Sequence, residues 1–219
     1  MMTDIAANIR HILSTLPQEV TLVAVSKFHP ATAIMDAYNA GQRVFGESRA
    51  AELAQKAAEL PNDIEWHFIG HLQTNKVRQV LPHATLIHSV DSERLLRAID
   101  AEAAKLGITA RVLLQVHVAA EETKYGFLPD ELIECAREVV PTLTNVEVAG
   151  VMGMATNTDC TQRVEQDFAA IHACAKELQV ALPKAGIISM GMSHDYQLAL
   201  ANGSTMVRIG TDIFGVREY

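Results

Sequence analysis

Residues 20–30 read VTLVAVSKFHP, and the fold follows from how this stretch is understood. Val20, Leu22, Val23, Ala24 and Val25 make a nearly continuous apolar run rich in β-branched side chains. A run of that kind marks a strand buried on both faces, as inside an all-parallel sheet, and not one that alternates between core and water. It passes straight into Ser26-Lys27, and Pro30 then opens a helical pattern. An ammonium at the carboxyl end of a buried strand is poorly hydrated. It snorkels to water, pairs with an anion, gives up its proton or is used covalently. The stretch alone leaves all four open.

Outward from this strand, strand-like and helix-like segments alternate to the end of the chain. An amphipathic helix, MMTDIAANIRHIL, precedes it, and the helix opened by Pro30 runs to about residue 40, where Gly41 stops it. Further strands are read at 43–45, 65–69, 85–90, 111–118, 147–152, 186–189 and 206–209. The helices between them begin with FGESRAAELAQKAAEL, closed by Pro61, and GHLQTNKVRQVL, ended by Pro82. SERLLRAIDAEAAKLG follows, with Asp91 or Ser92 as N-cap. Then come 129–139, 161–178, a helix from Ser193 or His194, and a last turn after Asp212. Eight βα units of about 27 residues, with no linker between them, predict one α/β domain over residues 1–219. Its architecture is a single (β/α)8 TIM-type barrel with an extra N-terminal helix. An open doubly wound sheet is the alternative, but no GxGxxG turn follows the first strand to favour it.

Composition narrows the partners. The 219 residues include 18 basic and 26 acidic ones, a formal net charge of −8, and 49% are apolar, enough for a substantial core. An acidic chain without a basic run argues against nucleic acid or an anionic membrane as the main partner. A small anion remains open, held by backbone N–H groups and one or two placed cations. Cys135, Cys160 and Cys174 form no CxxC pair and are odd in number, so reduced thiols are expected, with no disulfide and no metal site. No apolar run approaches the roughly 18 residues of a membrane span, and the N-terminal helix lacks a signal-peptide core. A cytoplasmic protein is expected.

In a barrel the chemistry gathers in the loops after the strands. IISMGMSHDY puts Ser189, Gly191 and Ser193 around the turn after the seventh strand, and MVRIGTDIFG puts Gly210-Thr211 at the exit of the eighth. Small residues expose backbone N–H groups, hydroxyls add donors, and this is the usual phosphate position of the architecture. The other reading is two tight βα turns. Alternation puts Arg208 on the face opposite Val207 and Ile209, where it serves either a structural salt bridge or a ligand. Lys27, a phosphate cradle and a buried arginine on one face point to a phosphorylated aldehyde held as a Schiff base. Pyridoxal 5′-phosphate fits that description, and so does the substrate of a phosphosugar aldolase.

VAVSKFHP, FGESR, WHFIGHLQTNK, HSVDS, KYGF, GVMGMAT, SMGMSHDY and GSTMVRIGTDIFGVREY follow one another in this chain. In that order they resemble the pyridoxal phosphate homeostasis protein family, whose members are similar to the N-terminal barrel of alanine racemase. The resemblance covers nearly the whole chain. It implies that Lys27 carries pyridoxal 5′-phosphate covalently, that Ser189, Gly191, Met192, Ser193, Gly210 and Thr211 lie at the phosphate end, and that Arg208 faces the pyridine nitrogen. Ser48 stands where the family commonly has asparagine after Gly-Glu, so its cofactor contact involves a different side chain here. The segment after Met152, GMATNTDC, varies in the family and is assigned no role.

The same resemblance separates carrier from enzyme. Arginine presents a donor and no acceptor, so the ring nitrogen it meets stays unprotonated and is a weaker electron sink. Racemisation needs an acid/base on each face, and the racemase draws one from an additional domain. This chain ends at Tyr219 directly after the eighth unit, so no such domain is expected. The expected protein is therefore a monomeric carrier without a catalytic residue. It would bind pyridoxal 5′-phosphate, pass it to apo-enzymes that need it, and take part in intracellular cofactor homeostasis. A racemase or related fold-type III enzyme is the alternative. His67 and His71, four apart, are read as strand and loop and not as a metal pair. His194-Asp195 is read as capping, and Lys76 and Lys124 as surface pairs. Cys160 and Cys174 are read as a loop and a helix position, and the methionines at 152, 154, 190, 192 and 206 mostly as packing.

Overall fold

In the computed structural model, which describes residues 4–121 and 123–215, the opening stretch is the first strand of a closed parallel barrel of eight strands. Their order around the ring is their order along the chain: β1 (Thr21–Val25), β2 (Val44–Glu47), β3 (Glu65–Phe68), β4 (Ala84–Val90), β5 (Ala110–Gln115), β6 (Val146–Met152), β7 (Ile187–Ser189) and β8 (Met206–Ile209). β8 closes on β1 in parallel register, from Thr21 opposite Met206 to Ala24 opposite Ile209. An open sheet is thereby excluded, and the barrel expectation holds.

The helices are α1 (Ile5–Thr15), ahead of β1, then α2 (Ala31–Asn39), α3 (Ala50–Glu59), α4 (Val77–Val80), α5 (Glu93–Leu106), α6 (Pro129–Glu134), α7 (Thr161–Ala181), α8 (Tyr196–Ala201) and α9 (Thr211–Phe214). The extra N-terminal helix is present, although Met1–Thr3 at its predicted start and Tyr219 at the chain's end lie outside the described residues. Ser92 is the N-cap of α5, and its hydroxyl accepts the N–H of Leu95 at 3.4 Å.

Several elements differ from the sequence reading, each for a local reason. β5 stops at Gln115, not at 118, because Val116 bridges Phe127 and the His117 N–H donates to the Phe127 carbonyl at 2.8 Å in place of β6. The segment read as a helix before Pro82 is one 3-10 turn (Thr74–Lys76) and the single turn of α4. The helix read over 129–139 continues from α6 as a π-turn (Cys135–Val139), and Pro141 then forces a 3-10 turn. α7 runs on to Ala181, since nothing breaks it before Pro183. α8 begins only at Tyr196, because the preceding residues form a closed turn described below.

Two apolar layers follow from strand alternation. Leu22, Ala24, Phe45, Trp66, Phe68, Val207 and Ile209 face outward into the main core beneath the helices. Val23, Leu86, Leu113, Ala149, Met152 and Met206 point inward and fill part of the barrel's interior. Each large side chain so buried contributes about 1.5–3 kcal/mol. Met152, Met190 and Met206 are buried packing residues, as expected. The rest of the interior is polar, and it is there that the candidate site is built.

Candidate functional site

Two residues beyond the end of β1, Lys27 occupies a tight turn that the His29 N–H closes onto the Ser26 carbonyl at 3.1 Å. Ser26 turns outward to the Glu47 carboxylate, and Lys27, half-buried, follows it at the carboxyl end of the strand. The following Phe28 has φ +68°, a left-handed conformation that costs an ordinary residue about 1–2 kcal/mol. Neighbouring elements hold it there. Glu52 of α3 accepts the Phe28 N–H at 2.7 Å, and the Arg49 guanidinium lies over the phenyl ring at 4.4 Å. Lys56, buried on α3, donates to the Ser26 carbonyl at 2.9 Å, to Glu47 Oε1 at 2.8 Å and to Glu52 Oε1 at 2.7 Å. Glu47 is fully buried, and burial pushes its pKa up against the pull of the Lys56 ammonium.

Inside the ring a second polar network crosses from β8 to β3. Arg208 donates through Nη1 to the Ser189 carbonyl and hydroxyl, both at 2.7 Å, and through Nη2 to the Gly153 carbonyl at 3.1 Å. Ser189 Oγ lies 3.0 Å from His88 Nδ1, and His88 Nε2 lies 3.0 Å from His67 Nδ1. A guanidinium only donates, so Ser189 accepts from it and turns its own hydrogen to His88. That leaves the His88 proton on Nε2, donating to His67. Burial drives His67 down to about 4 and His88 well below the ordinary value, so both are neutral. Arg208, lowered by burial to about 10, keeps its charge.

The turns after β7 and β8 are joined to each other. The Arg208 N–H donates to the Gly191 carbonyl at 2.9 Å, and the Gly210 N–H reaches Ser193 Oγ at 3.4 Å. Gly191 has φ +97°, and a Cβ there would sit 2.6 Å from that of Ala199, so only glycine fits this turn. Asp195, buried, accepts the Met192 N–H at 2.6 Å. This corrects the reading of His194-Asp195 as capping: the aspartate side chain closes the turn before α8 and does not cap the helix.

All the sequence-predicted site residues stand on the carboxyl side of their strands. Lys27 and Ser48 follow β1 and β2. Ser189, Gly191, Met192 and Ser193 follow or end β7, and Arg208, Gly210 and Thr211 end or follow β8. Of these, Thr211 is exposed, and Ser48 packs its backbone against Gly70 of the next loop. Among the described residues no carboxylate lies within 4.0 Å of Arg208, and the bonds seen there run to carbonyls and a hydroxyl. His67 and His71 are on a strand and in a loop, as read, but His67 has a partner the sequence reading missed, His88. The signal was there: in EWHF and LIHS each histidine takes the inward position of its strand. Also missed was the Glu47–Lys56–Glu52 cluster. Lys124 forms the expected pair, with Glu121 at 2.9 Å, and also holds the Ala155 carbonyl. Cys174 lies on α7, its thiol pushed up to about 11 by burial. Among the described residues no three His, Cys, Asp or Glu are grouped to hold a metal, and no helix is long and apolar enough to cross a membrane.

Pyridoxal 5′-phosphate can be tested against this arrangement. A buried guanidinium that among the described residues meets neutral oxygens has room for an electron-rich acceptor, and a pyridine lone pair would supply one. The Gly191 turn leaves no room for a side chain, which keeps backbone close to the site's wall. An amine stands on the same rim. The residues fit the group.

The profile of the alanine racemase N-terminal domain matches residues 2–218. The chain is 42% identical over 203 residues to the pyridoxal phosphate homeostasis protein of Aquifex aeolicus, covering 90% of this chain and 87% of that one. The structure of PipY from Synechococcus elongatus with pyridoxal phosphate bound is 40% identical and superimposes with a TM-score of 0.89, over 96% of this chain and all of that one. Alanine racemase from Clostridium difficile, 16% identical, shares the fold with a TM-score of 0.78 over 99% of this chain and 56% of its own.

Proposed function

The chain belongs to the pyridoxal phosphate homeostasis protein family, and from that premise we propose that it binds pyridoxal 5′-phosphate through an imine to Lys27 and acts as a carrier of the cofactor. The observation that carries this reading is Arg208: buried, charged, without a carboxylate partner among the described residues, and bonded through Ser189 to neutral histidines. When bound, the cofactor supplies a reactive aldehyde and a pyridine ring able to withdraw electrons. The chain's residues then divide the work. Lys27 provides the amine, and Arg208 donates a hydrogen bond to the ring nitrogen. Ser189, Gly191, Met192, Ser193, Gly210 and Thr211 hold the phosphate end, with Ser48 contributing from the loop after β2.

A ring nitrogen that only receives a hydrogen bond remains unprotonated, which weakens the ring as an electron sink and disfavours turnover. The protein therefore stores the aldehyde and releases it to apo-enzymes. It works as one cytoplasmic, monomeric barrel domain over residues 1–219. The test is the visible spectrum of the purified protein with added pyridoxal 5′-phosphate, wild type against Lys27→Ala, with peptide mapping after borohydride. A coloured wild type labelled at Lys27 and a colourless, unlabelled variant are expected. Label on another residue overturns the attachment. Conversion of an L-amino acid to its D-form, dependent on Lys27, overturns the carrier reading in favour of a racemase.

A further inference from the structure

The turn that presents Lys27 does not hold its own shape. Phe28 lies in the left-handed region without being glycine, and a backbone bond from the His29 N–H to the Ser26 carbonyl closes the turn. Such a conformation persists only where the surroundings impose it. Among the described residues these surroundings include side chains from β2 and α3. Glu47 takes the Ser26 hydroxyl at 2.6 Å, Glu52 takes the Phe28 N–H, and Lys56 joins both carboxylates while also gripping the Ser26 carbonyl. The residues on either side of Lys27 are thus fastened to one ion triad. Lys56 is only 6% exposed and Glu47 is fully buried. Buried ion pairs are poor stabilisers compared with apolar packing, and their best-attested use is to fix one geometry among several.

We infer that Lys56, through Glu47 and Glu52, is the positioning residue for Lys27: the triad holds the amine where it captures the aldehyde and takes no part in gripping the phosphate or the ring. This rests on the assignment of Lys27 as the attachment point. In the captured step the amine nitrogen forms the C=N bond, and the aldehyde oxygen leaves as water with both amine protons. Displacing a reacting group by about 1 Å costs on the order of a hundred-fold in rate. Apart from Ser48, which follows Glu47, the noncovalent contacts proposed above come from β7 and β8, and none of their residues bonds to the triad among the described residues.

The experiment measures two quantities on each variant. One is the rate of covalent capture of pyridoxal 5′-phosphate, followed by absorbance and borohydride labelling. The other is the affinity for pyridoxine 5′-phosphate, which has the same ring and phosphate but no aldehyde. Lys56→Met and Glu52→Ala should each slow capture by about ten- to a hundred-fold and leave the alcohol's affinity within about two-fold. Glu52→Gln, whose amide oxygen still accepts the Phe28 N–H, should recover most of the loss. If Lys56→Met fails to fold, the two Glu52 variants, at a half-buried position, decide the matter alone. Equal losses for both ligands would mean a merely structural triad and overturn the inference, as would unchanged capture. Should wild type carry its label elsewhere than Lys27, the attachment reading falls and this inference with it. Label at Lys27 with variants that behave like wild type overturns the inference alone.

Discussion

Lowering the pH from 7 to 5 should weaken this barrel through its interior imidazoles. His67 titrates at about 4 when folded and has an ordinary value of 6.5. Between those values the unfolded chain binds a proton that the folded chain refuses. Its contribution is therefore fully present above pH 6.5 and is lost progressively as pH falls toward 4. Integrated from pH 7 to 5, the loss from His67 is about 2 kcal/mol. His88, held well below 6.5 by burial, adds to it with the same sign. Glu47, raised by burial, works in the opposite direction, so the wild-type slope alone is no test. The difference between wild type and His67→Asn isolates the effect, because the amide oxygen can replace Nδ1 as the acceptor for His88 and does not titrate. The variant is expected to be less stable at pH 7 and to gain about 2 kcal/mol on wild type by pH 5. In a chain of this length that is about 4–8 °C in relative Tm. Urea or thermal unfolding of both proteins at pH 7, 6 and 5 measures it. A stability gap that does not change with pH would refute the burial of a neutral His67.

Two further substitutions bear on the same face. Gly191→Ala places a side chain at φ +97° and 2.6 Å from the Ala199 Cβ. Left-handed strain of about 1–2 kcal/mol and overpacking of about 1–3 kcal/mol together predict a loss of about 2–5 kcal/mol, seen as a lowered Tm; a melt indistinguishable from wild type would contradict the steric argument. Arg208→Lys keeps the charge but gives up the forked hold on Ser189 and Gly153, so a loss of about 2–4 kcal/mol is expected. On the proposed contact to the ring nitrogen, the absorption maximum of bound pyridoxal 5′-phosphate should shift as well, since the shorter ammonium no longer presents its donor at the same place. Unchanged stability and colour would show that Arg208 serves neither role.

The fold was largely legible because parallel strands buried on both faces write themselves as apolar runs, and residues 20–25 are such a run. Arg208 was legible for the same reason: a charge inside an apolar strand stands out, and alternation says which way it points. What the charge meets was not. A guanidinium in a strand is equally consistent with a carboxylate partner and with carbonyls, and only the ring closure of β7 against β8 decides it. His67 and His88 escaped because a single histidine on a strand is chemically ambivalent, and their contact joins residues on two different strands. The Lys56 cluster escaped for a different reason. Glu52 and Lys56 are four apart on α3, a spacing that on most helices means a solvated surface pair. Here the barrel wall covers it, and Glu47 and the Lys27 turn complete what the helix begins. The shortened β5 and the late start of α8 show the limit at element ends, where loop contacts such as Met192 to Asp195 outweigh local propensity.

The two polar networks differ in a way that bears on what the protein can do. The outer one is ionic and lies between the wall and α3, where it fixes a turn. The inner one carries one permanent charge, Arg208, and two imidazoles that are neutral at physiological pH. General acid–base work at pH 7 is done best by groups that titrate near 7. His67, at about 4, and Arg208, at about 10, lie roughly three units to either side. Their environments push these values away from the working range, and the hydrogen bonds running from Arg208 through Ser189 and His88 to His67 fix each proton on a named atom. A network so poised neither gives nor takes a proton readily at pH 7. On the carrier reading proposed above this is the behaviour a cofactor store would need, because a store that moved protons would consume the amino acids that reach a bound aldehyde.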